Sequence, residues 1–260
     1  MSDFQSVLYS VTNRVATIKM NRPKAMNAFD NALRIDLLAA IQKADQDDDV
    51  RVVIITGEGK GFSAGHDLQN AYGGYDTIEE CILKEYKPFL MAVYESDKLF
   101  ISAVNGAAAG IGGALALTCD FTVMSEKAYI YQAFAAIALV PDGGASFQLV
   151  NYLGYKRALQ MIVESGRLQA NECLAAGMAN KVVAADDLLS ESQAWAEKLS
   201  QGAPISQRLS KKLLQNAVRD NLESVVDKEA AAQNLTSSSE DFMTAATAFF
   251  NKEVPVFKGK

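Results

Sequence analysis

Along the first half of the chain, runs of apolar and β-branched residues alternate with segments whose apolar residues recur at helical spacing. Such runs predict strands, and such segments predict amphipathic helices. We expect strands at residues 7–11, 15–20, 52–56, 100–104 and 121–124. We expect helices through residues 33–41, ending within 45–49, and at 78–94 and 114–118. The three residues Thr12, Asn13 and Arg14 favour a hairpin between the first two strands.

The run at residues 52–56 is continuously apolar, which is typical of a strand buried on both faces. This strand and the one at 100–104 each lead into a glycine-rich loop and then a helix. The alternation of strand, loop and helix implies a parallel sheet with right-handed crossovers, and hence an α/β fold.

After residue 186 the strand signals stop, and helical patterns cover residues 188–199, 205–218, 222–234 and 241–251. We therefore predict a core at residues 1–200 and a C-terminal helical region at 201–260. That region either packs back on the core or mediates self-association.

The 260 residues are 49% hydrophobic and carry a formal net charge of −6. This length supports one large domain or a domain with an appendage. An acidic chain lacks the basic footprint expected for nucleic-acid or anionic-membrane binding. No run approaches the roughly 18 apolar residues of a membrane span, and the first residues do not resemble a signal peptide. We expect a cytoplasmic protein with no nucleic-acid or membrane partner.

The chain has three cysteines and one histidine. Cys81, Cys119 and Cys173 lie far apart without CxxC spacing, so we expect reduced packing residues rather than a disulfide or zinc site. Because His66 is the single histidine, His-rich metal sites are excluded. No metal is expected, and catalysis should rest on carboxylates and backbone groups.

Two glycine-rich loops, at residues 57–68 and 105–113, each follow an apolar strand and precede a helix. Backbone N–H groups at such turns can converge on an anionic atom, as in oxyanion holes and phosphate sites. Phe62 occupies the third-glycine position of a dinucleotide motif, and GxxxxGK[ST] is absent. The glycines could also serve only the turns themselves.

Several segments form an ordered set over nearly the whole chain. They are residues 21–23, 27–29, 61–68, 103–106 and 110–113, Asp120, and 249–252 with Pro255 and Phe257. Together they closely resemble the signatures of the crotonase (enoyl-CoA hydratase/isomerase) superfamily. The pattern is most similar to the Δ3,Δ2-enoyl-CoA isomerase and phenylacetate-pathway isomerase branches. The resemblance implies a crotonase-like spiral of strand-strand-helix units with a C-terminal helical trimerisation region, and a homotrimer or a hexamer made of two trimers.

The resemblance also implies an acyl-CoA thioester substrate whose carbonyl oxygen is held by two backbone N–H groups. By position these belong to His66 and Ile111. Ile111 departs from the glycine usual there, and its added side chain either narrows the space around the carbonyl or redirects the acyl chain. Coenzyme A, as part of the substrate and with no further cofactor, would be held near Ala64 and His66. The other residues assigned to it are Lys24, Ala25, Asp67, Leu68 and, from a neighbouring subunit, Lys252.

Family hydratases use two glutamates to activate water, and the matching positions here are Ala114 and Phe134. Neither can transfer a proton. The family's isomerases instead carry one carboxylate a few residues later, where this chain has Asp142. The resemblance therefore favours a double-bond isomerase over a hydratase.

Read without the resemblance, Asp142 lies in a Pro-Asp-Gly turn and could cap a helix beginning near Ala145. It is also the only charged residue between Lys127 and Lys156. Apolar surroundings should raise the pKa of its carboxyl, which suits a general base that later returns the proton. We expect Asp142 to shuttle a proton from C2 to C4 of a 3-enoyl-CoA.

Other acyl-CoA reactions remain open at this point. Dehalogenases and hydrolases of the family use the same cleft, but a covalent route needs a group that activates water for its second step. A hydratase-like activity is disfavoured by Ala114 and Phe134. A non-catalytic acyl-CoA-binding or RNA-binding relative would fit the missing glutamates, although the acidic charge disfavours RNA.

Overall fold

The computed structural model describes residues 4–69, 74–218, 220 and 222–260. The strands are β1 Val7–Thr12, β2 Val15–Met20, β3 Val52–Gly57, β4 Leu99–Val104, β5 Ala107–Ala109, β6 Phe121–Ser125, β7 Tyr129–Tyr131, β8 Arg167–Gln169 and β9 Lys181–Val183. The helices are α1 Asn31–Gln46, α2 Ile78–Cys81, α3 Lys87–Glu95, α4 Ile111–Thr118, α5 Ala145–Val163, α6 Ala170–Ala175, α7 Leu188–Ser200, α8 Pro204–Ala217, α9 Leu222–Ser237 and α10 Glu240–Asn251.

The first two strands form the predicted hairpin, with Val7 paired to Met20 and Thr12 to Val15. Asn13 and Arg14 in the turn both have positive φ, at 51° and 65°. Two consecutive left-handed residues match the right-handed twist of the flanking strands. The hairpin prediction is therefore confirmed.

The main sheet, in the part of the chain that is described, has the order β1-β2-β3-β4-β6-β9. The pairs from β2 to β9 are all parallel, as the alternation of elements predicts. Every residue of β3 and β4 is buried. Residues of α1 and α3 join the core cluster that includes Val53 and Ile55, whereas Leu188 and Ala196 of α7 join the one that includes Val52 and Ile54. Both faces of β3 are thus covered, as its apolar run predicts.

Because β3 and β4 are parallel with Thr56 opposite Ala103, their carboxyl ends meet at one edge of the sheet. The two glycine-rich loops begin at that edge. In open α/β sheets this edge is where ligands bind. The topology therefore brings together the two segments that the sequence singled out.

Two local features differ from the prediction. The loop at 105–113 contains β5, and the helix after it begins at Ile111 rather than at residue 114. The segment at 78–94 is α2 and α3 joined by a π-helical turn, Ile82–Tyr86. Pro88 explains that turn, because it has no amide for the carbonyl of Lys84 and its ring crowds that carbonyl.

The helices after residue 186 are present as predicted, and α7 ends at Ser200 just before α8 begins at Pro204. Lys211 of α8 has a side chain that is 5% exposed and lies 3.0 Å from Asp120. The division into 1–200 and 201–260 stays a prediction. No helix among the described residues is long and apolar enough to cross a membrane.

Candidate active site

The two glycine-rich loops touch at their glycines. A Cβ built on Gly65 would lie 2.9 Å from the carbonyl oxygen of Ala109, and one on Gly112 would lie 2.7 Å from Cβ of Ser63. The Ser63 amide donates to Ala107 O at 3.0 Å, and the Ala109 amide donates to Ser63 O at 2.9 Å. Glycine is required at positions 65 and 112 because any side chain would separate the loops.

The segment around His66 runs beside Phe29. The Phe29 amide donates to Gly65 O at 2.8 Å, and the Asp67 amide donates to Phe29 O at 3.2 Å. In an extended segment successive residues direct their N–H groups to opposite sides. The amide of His66 therefore points away from Phe29.

Ile111 is the first residue of α4 and is 2% exposed. The amide of a first helical residue has no acceptor within its own helix, and the helix dipole favours negative charge there. The turn into the helix is made by Gly110, with φ 50° and ψ −124°. The Ile111 amide thus has the setting that an oxyanion donor needs, whatever its side chain.

Asp142 lies in a turn that packs against the start of α4. The next residue, Gly143, has φ 60°, and a Cβ on it would lie 3.1 Å from Cβ of Ala114. The N-cap of α5 is Gly144, and no side chain caps that helix. Asp142 contributes only its main-chain carbonyl, which accepts from the Ala145 amide at 3.0 Å. The capping alternative for the Asp142 side chain is therefore wrong.

Burial raises the pKa of the Asp142 carboxyl to about 6. Its Oδ1 is inaccessible to solvent and has no hydrogen-bond partner among the described residues. The pKa values of Tyr86 and Cys81 are raised mainly by the burial of these two side chains. The negative charge of Asp142 makes a smaller contribution in the same direction. The carboxyl thus lies within electrostatic range of Tyr86 and Cys81, and its raised pKa agrees with the apolar surroundings that the sequence indicates.

Ala114 and Phe134 line the same region. Ala114 is fully buried beside Gly143, and Cζ of Phe134 lies 3.4 Å from a Cβ built on Gly110. Both positions are close enough to the Asp142 turn and the Ile111 turn to matter chemically, and both are apolar. Of these residues, Asp142 carries the carboxyl group, whose pKa of about 6 allows it to transfer a proton near neutral pH.

The residues assigned to coenzyme A form an accessible strip beside the first loop. Lys24, Ala64 and Leu68 are exposed, and Ala25 is half-buried. The Ala64 amide donates at 2.9 Å to the carbonyl of Met26, which ties the segment of Lys24 and Ala25 to the loop.

Asp67 serves the protein itself. Its Oδ2 lies 3.0 Å from Nη1 of Arg22, and its Oδ1 accepts from the Gln69 amide at 3.1 Å. Burial opposes ionisation, but Arg22 and the Gln69 amide outweigh it and lower the pKa of Asp67. Lys252 is a left-handed residue at the C-terminal end of α10. The Asp67 carboxylate is thus engaged within the protein, whereas Lys252 is exposed.

A buried polar cluster behind His66 was not foreseen from the sequence. The Tyr86 hydroxyl lies 2.7 Å from Nδ1 of His66, and Arg34 contacts Tyr86, Glu85 and the carbonyl of Phe29. Arg34 is 1% exposed. The one available signal was Pro88, which marks the π-helical turn that carries Glu85 and Tyr86.

Comparison with known proteins gives a direct family assignment. The family model for enoyl-CoA hydratase/isomerase matches residues 10–260. The chain belongs to the enoyl-CoA hydratase/isomerase family. A probable enoyl-CoA hydratase of Rhodobacter capsulatus is 31% identical over 257 residues, covering 99% of each chain. A 1,2-epoxyphenylacetyl-CoA isomerase of Escherichia coli is 30% identical over 258 residues, covering 98% of each.

A solved structure of an enoyl-CoA hydratase subunit from Geobacillus kaustophilus superposes with a TM-score of 0.93 at 31% identity, covering 100% of both chains. This agreement confirms the expected crotonase-like spiral with its C-terminal helices. Family membership is thus established, while relatives of this family carry the names of both hydratases and isomerases.

Proposed function

We propose that this enzyme shifts a double bond in an enoyl-CoA thioester, from the 3-position to the 2-position. The observation that carries the proposal is Asp142, a half-buried carboxylic acid whose pKa is raised by burial to about 6, next to the α4 turn. A base with such a pKa accepts a proton at neutral pH and returns it in the same turnover. The relative named as an isomerase supports this direction.

The proposed reaction uses one carboxylate and two amides. Asp142 takes the proton from C2, the C2–H electron pair forms a C1–C2 double bond, and the carbonyl π electrons move to the thioester oxygen. In this dienolate the charge resides on that oxygen, where the His66 and Ile111 amides donate to it. When the carbonyl re-forms, the C1–C2 pair becomes the C2–C3 double bond, and the C3–C4 pair takes the same proton from Asp142 at C4. Such prealigned donors favour the enolate over the ground state.

Coenzyme A is proposed to lie along the strip formed by Lys24, Ala25, Ala64 and Leu68, with its thioester beside His66. Lys252 is proposed to reach a phosphate bound to a neighbouring subunit. No metal or redox group takes part in the proposed steps. The reaction is a proton transfer between two carbons, so it consumes no oxidant.

We also propose that the chain assembles into a trimer, or a hexamer of two trimers, through its C-terminal helices. Phe249, Phe250 and Val254 are 80%, 82% and 89% exposed. Clustered exposed aromatic and aliphatic side chains are typical of protein interfaces. Light scattering should give three or six times the chain mass for the wild type and a smaller mass for Phe250→Asp. A monomeric wild type would contradict this proposal.

The activity is tested by following the ultraviolet absorbance of the conjugated 2-enoyl-CoA formed from 3-enoyl-CoA substrates of several lengths. Asp142→Asn should lower kcat at least about 100-fold, as expected for loss of a general base. Asp186→Asn, which changes an exposed acid outside the site, is the matched control. Hydration of 2-enoyl-CoA is measured in parallel. Fast hydration with no isomerisation would overturn the proposal.

A further inference from the structure

The hydroxyl of Tyr86 has two hydrogen-bond partners among the described residues. It lies 2.7 Å from Nδ1 of His66 and 3.5 Å from Nη1 of Arg34. Tyr86 is 1% exposed, so its O–H cannot turn to solvent. A buried donor left without an acceptor loses its hydrogen bond to water and gains none in return, which destabilises the fold.

The chemistry of these two partners decides where the tyrosine proton lies. A guanidinium has only donors, so Arg34 cannot accept the proton. The remaining acceptor is Nδ1 of His66, which must then carry a lone pair. An imidazole with a lone pair on Nδ1 is neutral and holds its proton on Nε2.

Tyr86 is held in place by a buried ion pair. Nε of Arg34 contacts Glu85 Oε2, and the guanidinium carbon lies 5.3 Å from the centre of the Tyr86 ring. Glu85 Oε1 accepts from Nδ2 of Asn31 at 2.8 Å. The π-helical turn widens the helix where Glu85 and Tyr86 follow each other, and both face inward.

The same Arg34 also holds the backbone beside His66. Its Nη1 donates to the carbonyl of Phe29 at 3.0 Å, and that carbonyl accepts from the Asp67 amide. His66 is therefore held at two places: Tyr86 contacts its imidazole, and Phe29 makes hydrogen bonds with the backbone on either side of it. Arg34 is the common anchor of both contacts.

We propose that Tyr86 is a positioning residue: it donates its hydroxyl proton to Nδ1 of His66, fixes the neutral Nε2–H form of the imidazole, and so fixes the direction of the His66 backbone amide. The catalytic consequence rests on the proposed function, in which that amide holds the thioester oxygen. The tautomer does not rest on it, and is measurable on the protein alone.

Because His66 is the single histidine, nitrogen NMR of ¹⁵N-histidine-labelled, tag-free protein reports one imidazole. The wild type at pH 8 should show an unprotonated Nδ1 and a protonated Nε2. Tyr86→Phe keeps the ring and should give a mixture of both tautomers. Tyr9→Phe, which removes a hydroxyl on β1 next to Lys43, should leave the signals unchanged. A wild-type Nδ1–H form, or identical spectra for the wild type and Tyr86→Phe, would overturn the assignment.

The positioning role is tested with acetoacetyl-CoA, whose enolate absorbs in the near ultraviolet. Wild type should increase the enolate absorbance of the bound ligand, and Tyr86→Phe should decrease that gain at saturating ligand. With a 3-enoyl-CoA substrate, Tyr86→Phe should lower kcat about 10-fold and change KM less than twofold, because the lost alignment acts on the enolate rather than on coenzyme A.

These readouts separate the two proposals. A wild type that binds acetoacetyl-CoA with increased enolate absorbance, yet does not isomerise, contradicts the proposed function and leaves the positioning role supported. A Tyr86→Phe enzyme with wild-type kcat and wild-type enolate absorbance contradicts the positioning role alone. If Tyr86→Phe fails to fold, Glu85→Gln serves instead, since it weakens the Arg34 anchor while keeping Tyr86. It should shift the tautomer ratio in the same direction, and an unchanged ratio would count against the proposal.

Discussion

Gly143 packs directly onto Ile111: a Cβ built on Gly143 would lie 2.1 Å from Cδ1 of that side chain. Gly143 also has φ 60°, where other residues are strained. Gly143→Ala should therefore push the Asp142 turn away from the α4 turn. We expect kcat to fall about 100-fold, since small misplacements of a catalytic group have effects of that size.

The contact itself provides the control for this prediction. Ile111→Gly removes the atom that a new Cβ would strike and keeps the backbone amide. Gly143→Ala should therefore lower kcat only about 10-fold in the Ile111→Gly background, compared with about 100-fold in the wild type. The double-mutant cycle is measured with the isomerisation assay. Additive effects of the two changes would show that Ile111 does not position the Asp142 turn.

The pKa of Asp142 sets a pH dependence for activity. A general base must be deprotonated before it can accept a proton, and burial raises the pKa of this carboxyl to about 6. In the free enzyme kcat/KM should rise about 10-fold per pH unit below 6 and level off above about 7. Rates across pH 4.5 to 8 with a buffer control check this. A profile that is already flat at pH 5 would contradict the assigned base.

The same pKa also predicts an effect on stability. A carboxyl whose pKa is raised on folding stabilises the protein fully below its unfolded pKa, and this contribution is lost as pH rises through about 6. Asp142→Asn cannot ionise, so it should have a higher free energy of unfolding than the wild type at pH 8.

Because Asp142 is half-buried, solvent screening keeps the expected gain to about 1 to 2 kcal/mol. The gain should be smaller at pH 5. Urea unfolding at the two pH values measures it, with Asp186→Asn as the control. Equal stability of Asp142→Asn and wild type at pH 8 would mean that the carboxyl is solvated.

Lys211 connects α8 to the core through its ion pair with Asp120, and this contact should contribute to stability. Lys211 Nζ donates to Asp120 Oδ2 and to the carbonyls of Val93 and Lys98 at 3.0 to 3.2 Å. Lys211→Met should lower the free energy of unfolding by about 3 kcal/mol, because it leaves the largely buried Asp120 carboxylate with the Phe100 amide but without its cation. Adding Asp120→Asn should restore part of that loss. A double variant no more stable than Lys211→Met would argue against a charge effect.

The sequence predicted the parts of this site that depend on pattern. Apolar runs located β3 and β4, and the glycines between them and their helices located both loops, because parallel strands bring their carboxyl ends together. The isolation of Asp142 among apolar residues indicated the raised pKa of its carboxyl. Each of these features shows as a pattern within a short segment, so one amino-acid sequence is enough to predict it.

The features that the sequence did not predict depend on long-range packing. Arg34 and Glu85 are 51 positions apart, and both read as ordinary exposed charges on helices. Ile111 as the start of α4 was missed because Gly112 and Gly113 suggest a loop. Those glycines instead allow Ser63 and Ala108 to approach the helix closely. Asp142 as a helix cap was a sound local alternative, and only the position of Gly144 excludes it.

Asp142 is proposed to remove the C2 proton, and a substrate deuterated at C2 reports on that step. We predict that the wild type releases the label from C2 and delivers part of it to C4 of the conjugated product, read by mass spectrometry and NMR. Asp142→Asn should slow loss of the label from C2 at least about 100-fold. If the label is lost from C2 at the wild-type rate with Asp142→Asn, a group other than Asp142 is the base.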